Sequence, residues 1–144
     1  MLVSLALCSP VGATVVEPEM YYTDTSYGRA FAKDPDVVRF KGAYYLYYSI
    51  MRPDGLAAGI ARSDDLTHWE KVGEVTPASP CEKKGLGAPS AIVMGDTVHL
   101  FYQTYGNRQK DAICHAVSRN GIDFERNPDN PIFAPKGHWT AGRA

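Results

Sequence analysis

Little in this sequence points to a cofactor, a nucleic acid or a membrane. Fifteen Lys and Arg stand against 16 Asp and Glu, a net charge of −1 over 144 residues. That excludes the broad positive field by which a protein holds nucleic acid or an anionic membrane surface. No apolar run is long enough to form a transmembrane helix. There is no phosphate loop and no dinucleotide fingerprint. The three cysteines, Cys8, Cys81 and Cys114, are spaced unlike any zinc site, so neither a cofactor nor a metal is expected. Helical periodicity is poor, and the 10 prolines interrupt most windows in which a helix could run.

The N-terminus lacks the basic start of a complete secretion signal. It does have an apolar run, Leu2 to Cys8, and small residues at Val11 to Ala13. Residues 1–13 therefore read as a candidate signal peptide, with a short β-strand as the bland alternative. Residues 14–29 are then a lead-in, and a secreted or periplasmic protein is expected. In an oxidising compartment Cys81 and Cys114 could pair; two buried thiols are the other reading. A lipid anchor on Cys8 is disfavoured by the large Leu7 before it.

What the chain has in quantity is aromatic side chains and turn residues: nine Tyr, five Phe, two Trp and 13 Gly. That composition suits an all-β fold. The chain also repeats itself. "DPDVVRFKGAYYLYYS" (Asp34 to Ser49) aligns with "APSAIVMGDTVHLFYQ" (Ala88 to Gln103), matching Pro35 to Pro89, Leu46 to Leu100 and Tyr48 to Tyr102. "IARSDDLTHWEK" (Ile60 to Lys71) aligns with "HAVSRNGIDFER" (His115 to Arg126), matching Ser63 to Ser118 and Trp69 to Phe124. Each unit reads as four strands; the first are roughly Asp36–Phe40, Tyr44–Ile50, Ala58–Ser63 and Trp69–Val72. Both faces of the tyrosine strand are apolar, as in a strand sandwiched between neighbouring sheets.

Four-stranded units at a period of roughly 50 residues indicate a β-propeller. Residues 30–144 hold part of one: blade one at about 30–75, blade two at about 85–133, and the approach to a third at 134–144. A complete small all-β domain is the competing reading, and it leaves sheet edges unprotected. If the first strand of each blade lines the channel, Asp34 and Ala88 begin at one rim. The connections Met51–Ala57, Thr104–Asp111 and Thr76–Gly87 gather there too, and the "SDDLTHW" turns sit at the opposite side. Asp34 can be a turn residue at strand entry, but Ala88 at the matching place weakens that reading.

"KDPDVVRFKGAYYLYYS", "IARSDDLTHWEKVG" and "GAPSAIVMGDTVHLFYQT" resemble the opening blades of five-bladed propeller glycoside hydrolases, families 43 and 117 in particular. The resemblance covers most of the chain after about Tyr22. It implies an inverting glycosidase in which the aspartate of the first Asp-Pro entry, here Asp34, is the general base that activates water. It also implies a tuning aspartate and a proton donor, glutamate in family 43 and histidine in family 117, from later blades. The implied partner is a plant or algal oligosaccharide, with anhydrogalactose and arabinose or xylose linkages as the options. Some relatives hold calcium in the channel; nothing in these residues indicates it.

Asp36, two residues on, shares a strand face with Asp34 and could orient the base. Ser90, Gln103 and Thr104 lie at the rim by the strand argument and could bind sugar hydroxyls, while Tyr105, Arg52 and Arg108 could line subsites. His115, Trp69 and Phe124 read as packing residues, and Glu70 and Glu125 as structural ones. Two other classes stay open: a non-catalytic carbohydrate-binding propeller, and a sialidase-like propeller. Against the latter, Trp69 follows Ser63 by six positions, one short of the aspartate-box pattern.

Overall fold

The computed structural model describes residues 22–136. The candidate signal peptide, Cys8 and the tail from Gly137 to Ala144 lie outside the described residues.

Among the described residues eight strands form two four-stranded antiparallel sheets in simple meander order. The first sheet holds β1 (Lys33–Phe40), β2 (Ala43–Arg52), β3 (Gly55–Ser63) and β4 (Glu70–Val75). The second holds β5 (Leu86–Met94), β6 (Thr97–Thr104), β7 (Ile113–Ser118) and a short β8 (Glu125–Arg126). Helical structure among the described residues is confined to two single 3₁₀ turns, Pro80–Glu82 and Arg108–Lys110. The chain is all-β, with sheets of propeller-blade form.

The strands of the first sheet run further than the sequence suggests. Met51 pairs with Leu56 and Arg52 with Gly55, so the expected connection Met51–Ala57 shrinks to a tight hairpin around Pro53 and Asp54. Gly55, at φ 134°, supplies the backbone that this turn requires. The β1–β2 turn has positive φ at both Lys41 and Gly42, the type I′ geometry that suits the twist of a hairpin.

The repeat holds atom by atom in the β3–β4 and β7–β8 turns. Leu66 N donates to Ser63 Oγ at 2.8 Å, and Gly121 N donates to Ser118 Oγ at 2.8 Å. Asp65 Oδ1 accepts from Thr67 N and His68 N, and Asn120 Oδ1 accepts from Ile122 N and Asp123 N. These side chains replace the backbone partners that a four-residue reversal leaves without bonds.

Alternation on β2 builds two apolar layers. Tyr45 and Tyr47 face the second sheet and pack with Leu86, Val98, Leu100 and Tyr102. Leu46, Tyr48 and Ile50 face the other way, against Tyr22, Ala32 and Trp69. The buried Tyr47 hydroxyl donates to Gly121 O at 2.9 Å, which ties one sheet to the far turn of the other. Trp69 and Phe124 pack against these layers, Phe124 edge-on to Tyr47.

A buried polar latch closes each blade onto the segment before it. The Tyr48 hydroxyl donates to Asp24 Oδ2 at 2.9 Å, and Lys71 Nζ lies 2.8 Å from the same oxygen. In the second blade the Tyr102 hydroxyl donates to Glu82 Oε1 at 2.6 Å, and Arg126 Nε donates to it at 3.1 Å. Tyr48 matches Tyr102 and Lys71 matches Arg126 in the repeat. Burial pushes the Asp24 carboxyl up, but the bonds from Lys71, Ser26 and Tyr48 outweigh it and hold its pKa at about 2.

Cys81 and Cys114 are free thiols with sulfurs 3.6 Å apart, Cys114 buried and Cys81 partly so. No helix among the described residues is long and apolar enough to cross a membrane.

At Gly59 a Cβ would lie 2.3 Å from Tyr48 Cζ. Gly59→Ala is therefore expected to destabilise the full-length protein by about 1–3 kcal/mol or more, read from denaturant midpoints. The Asp24 carboxyl lies below its ordinary 3.8 in the fold. Its stabilisation is therefore fully present above about pH 4 and is lost as pH falls through about 2. Unfolding midpoints measured across that window should fall more steeply for the wild type than for Asp24→Asn.

Candidate active site

Proline organises the rim. Pro35 has no N–H to give to the ladder, and the β1–β2 register shifts between Lys33 and Asp36. The right-handed helical region is disfavoured for a residue before proline; Asp34 takes left-handed backbone instead, at φ 52°. Blade two does the same: Ala88 precedes Pro89, has φ 45°, and the β5–β6 register shifts between Gly87 and Ser90. Aspartate tolerates this conformation better than alanine does. Since alanine adopts it in the second blade, the bulge needs no carboxylate.

The Asp34 side chain, 35% exposed, points into the seam between the blades. Its Oδ2 accepts from Ser49 Oγ at 3.1 Å, and Ser49 Oγ in turn accepts from Ala88 N at 2.8 Å. Ser49 is buried. Lys33 Nζ, an exposed ammonium, lies 3.7 Å from Asp34 Oδ1. Gly87 leaves room for this arrangement, because a Cβ there would lie 2.9 Å from Ser49 Oγ and 3.5 Å from the Tyr105 ring. The Tyr105 phenol is pushed above its ordinary pKa by burial and then by the Asp34 and Asp111 charges.

The other sequence candidates separate. Asp36 does not turn to the base: its Oδ2 accepts from Ala91 N at 2.6 Å, a clamp from β1 to β5. Ser90, the repeat equivalent of Asp36, is exposed on β5 opposite Phe101. Gln103, the equivalent of Ser49, is half-buried on the face of β6 that carries His99 and Phe101. Thr104 is corrected outright. It is fully buried, and its hydroxyl accepts from Ala112 N at 3.0 Å, so strand alternation has turned it into the core and away from any ligand. Arg52 is held by Asp54, Glu74 and Tyr27 instead of facing a subsite. Arg108 is exposed on its 3₁₀ turn, and Glu70 and Glu125 are exposed on strand ends.

His115 stacks on His99 and Phe101. Its Nδ1 takes a bond from Asn127, so Nε2 carries the proton and donates to His99 Nδ1 at 3.0 Å. Burial, then His99, lowers its pKa. His99 borders a concavity of about 650 Å³ that is also lined by Thr97, Val117 and Asp123 and does not include Asp34. It lies on the face of the second sheet that matches the face of the first sheet packed on its neighbour. Among the described residues no group of His, Cys, Asp and Glu is placed to hold a metal ion.

Ser49, Gly87 and Lys33 carry no motif signal. The repeat does offer one in retrospect: Ser49 aligns with Gln103 just where Asp34 aligns with Ala88, so the hydroxyl and the carboxylate change together.

Several solved structures share this fold. Fructan 1-exohydrolase IIa from Cichorium intybus is 21% identical with a TM-score of 0.64, over 73% of this chain and 22% of that one. A family 117 glycoside hydrolase from the marine bacterium Zobellia galactanivorans is 25% identical with a TM-score of 0.65, over 75% and 35%. A thermostable family-43 glycoside hydrolase is 22% identical with a TM-score of 0.56, over 74% and 35%. The chain thus spans between 22% and 35% of the length of these proteins. Families 43 and 117 are present among the neighbours, as the motifs imply, but the matching family model is a third one, that of family 32. That model covers residues 28–143, and the chain belongs to the glycosyl hydrolases family 32 N-terminal domain family.

Proposed function

We propose that these two blades carry the base side of a glycoside hydrolase active site, with Asp34 as general base in inverting hydrolysis of an O-glycosidic bond. The observation that carries this reading is the pairing of Asp34 with Ala88. Both residues occupy the same left-handed bulge at the same rim, and only one of them has a carboxylate. The backbone does not require that carboxylate, and it stays half-exposed on a rigid strand entry.

In this mechanism ionised Asp34 takes a proton from a water as the water oxygen attacks the anomeric carbon. An acid on the opposite side, about 6.5–9.5 Å from the base when both are carboxyl groups, protonates the leaving oxygen. We assign that acid and the second carboxylate to later blades, because Asp36 is committed to Ala91 N and both Glu70 and Glu125 lie on strand ends away from the seam.

The substrate is a plant or algal oligosaccharide. The resemblance of the motifs to families 117 and 43 favours an agar-derived, arabinose-containing or xylose-containing chain. The family 32 match, with the fructan 1-exohydrolase and a Bombyx mori β-fructofuranosidase among the neighbours, favours a second reading, a fructosyl oligosaccharide.

The test uses the complete protein on agaro-, arabino- and xylo-oligosaccharides, sucrose and 1-kestose. Asp34→Asn should lower kcat by about 10²–10⁴-fold with little change in thermal midpoint. Proton NMR of the first product should show inverted configuration. Retention would replace the base by a nucleophile at Asp34. Binding without turnover of any sugar would make the protein a carbohydrate-binding propeller.

We also place the protein in a secreted or periplasmic compartment, on the apolar run and small residues of its N-terminus. Expression in a bacterial host should yield an exported chain lacking about the first 13 residues. An intact mass that retains them in the exported fraction would count against a cleaved signal.

A further inference from the structure

We infer that Ser49 is the positioning residue of Asp34, and that through it the second blade sets the direction of the base. The inference rests on the reading of Asp34 as the base and adds to it which oxygen reacts and what holds it.

Hydrogen-bond polarity carries the argument. The Ala88 amide can only donate, so at 2.8 Å it occupies a lone pair of Ser49 Oγ. The single hydroxyl proton of Ser49 is then left for Asp34 Oδ2, 3.1 Å away. Oδ2 is thereby turned into the seam, and Oδ1 is the oxygen left for water. The exposed ammonium of Lys33 lies 3.7 Å from Oδ1.

A carboxylate on an exposed strand entry otherwise rotates freely about its last torsion, which is broad. A base must hold one direction, since small misplacements of reacting groups cost about 10²-fold in rate. The anchor lies on β5, which shares no ladder with β1. Gly87 keeps the space for it, as a Cβ there would come within 2.9 Å of Ser49 Oγ. In blade two, where Ala88 replaces the carboxylate, the position of Ser49 is Gln103. A hydroxyl needed only to satisfy an amide would have no reason to coincide with the carboxylate.

The experiment measures kcat and KM of the full-length enzyme on whichever sugar of the above panel it turns over. The variants are Ser49→Ala, Ser49→Thr, Asp34→Asn and the Ser49→Ala/Asp34→Asn double variant, assayed below their melting temperatures. Ser49→Ala is expected to lower kcat about 10- to 100-fold with KM within about threefold. Ser49→Thr, which keeps the hydroxyl, should recover most of that loss. In the Asp34→Asn background Ser49→Ala should cost nothing further, because the serine acts only through the carboxylate. The inference is overturned if Ser49→Ala leaves kcat unchanged while Asp34→Asn abolishes it. Equal losses from Ser49→Ala in both backgrounds would also overturn it. Near-normal turnover by Asp34→Asn would instead remove the base assignment itself.

Discussion

The structure depends on a buried tyrosine hydroxyl that must find an acceptor. In each blade the second strand carries a tyrosine whose ring fills a core layer and whose hydroxyl therefore sits away from water. The acceptor is a carboxylate from the segment just before the blade, Asp24 in one case and Glu82 in the other. A buried carboxylate is itself costly unless paired. The fourth strand supplies the cation, Lys71 or Arg126. Three distant pieces of chain are thus bound by one chain of necessity. Removing the carboxylate takes the acceptor from the tyrosine and one partner from the cation, although Tyr48 keeps Tyr22, Lys71 keeps Glu74 and Arg126 keeps Thr76 O. Arg126 also reaches Thr76 O and lies over the Tyr102 ring, so the connector between the blades is fastened to β8 as well.

With the blades closed in this way, the seam between them becomes a place where polar groups can be aimed. β1 and β5 share no ladder, yet Asp36 takes the Ala91 amide and Asp34 takes the Ala88 amide through Ser49. Both acidic side chains of the first inner strand are therefore held by main chain of the second. The two differ in their partners: Asp36 takes a short bond from main chain inside the seam, while Asp34 is held by a serine hydroxyl and lies near the exposed Lys33 ammonium. A proline at each strand entry makes this geometry available, because it breaks the ladder and leaves the preceding residue to bend out of it.

Much of this was legible in the residues. The repeat announced two blades because matched residues do matched jobs: Ser63 and Ser118 cap the same turn, and Asp34 and Ala88 take the same bulge. The packing roles of Trp69 and Phe124 followed from their place at the turns. The burial of Thr104 is not legible in the sequence, because a strand argument locates a residue along the sheet but not on a face. One step of alternation separates half-buried Gln103 from fully buried Thr104. Arg52 and Glu82 were illegible for a different reason. Their partners, Glu74 for one and Tyr102 with Arg126 for the other, lie 20 or more positions away, and nothing local marks the pairing.

The sequence by itself determined the class of fold and the four-stranded repeat from which the two sheets are built. These rest on patterns that are local or repeat at a fixed period: alternation, turn residues and Asp-Pro entries. Only the tertiary structure decided that Asp36 is a clamp, that Thr104 is core, that Ser49 stands behind Asp34 and that each tyrosine closes a latch. Those facts depend on which side chains meet across a seam between sheets that share no hydrogen-bonded ladder. Burial and the obligation to pair every buried polar group choose among such meetings, and neither can be evaluated until both sheets are in place.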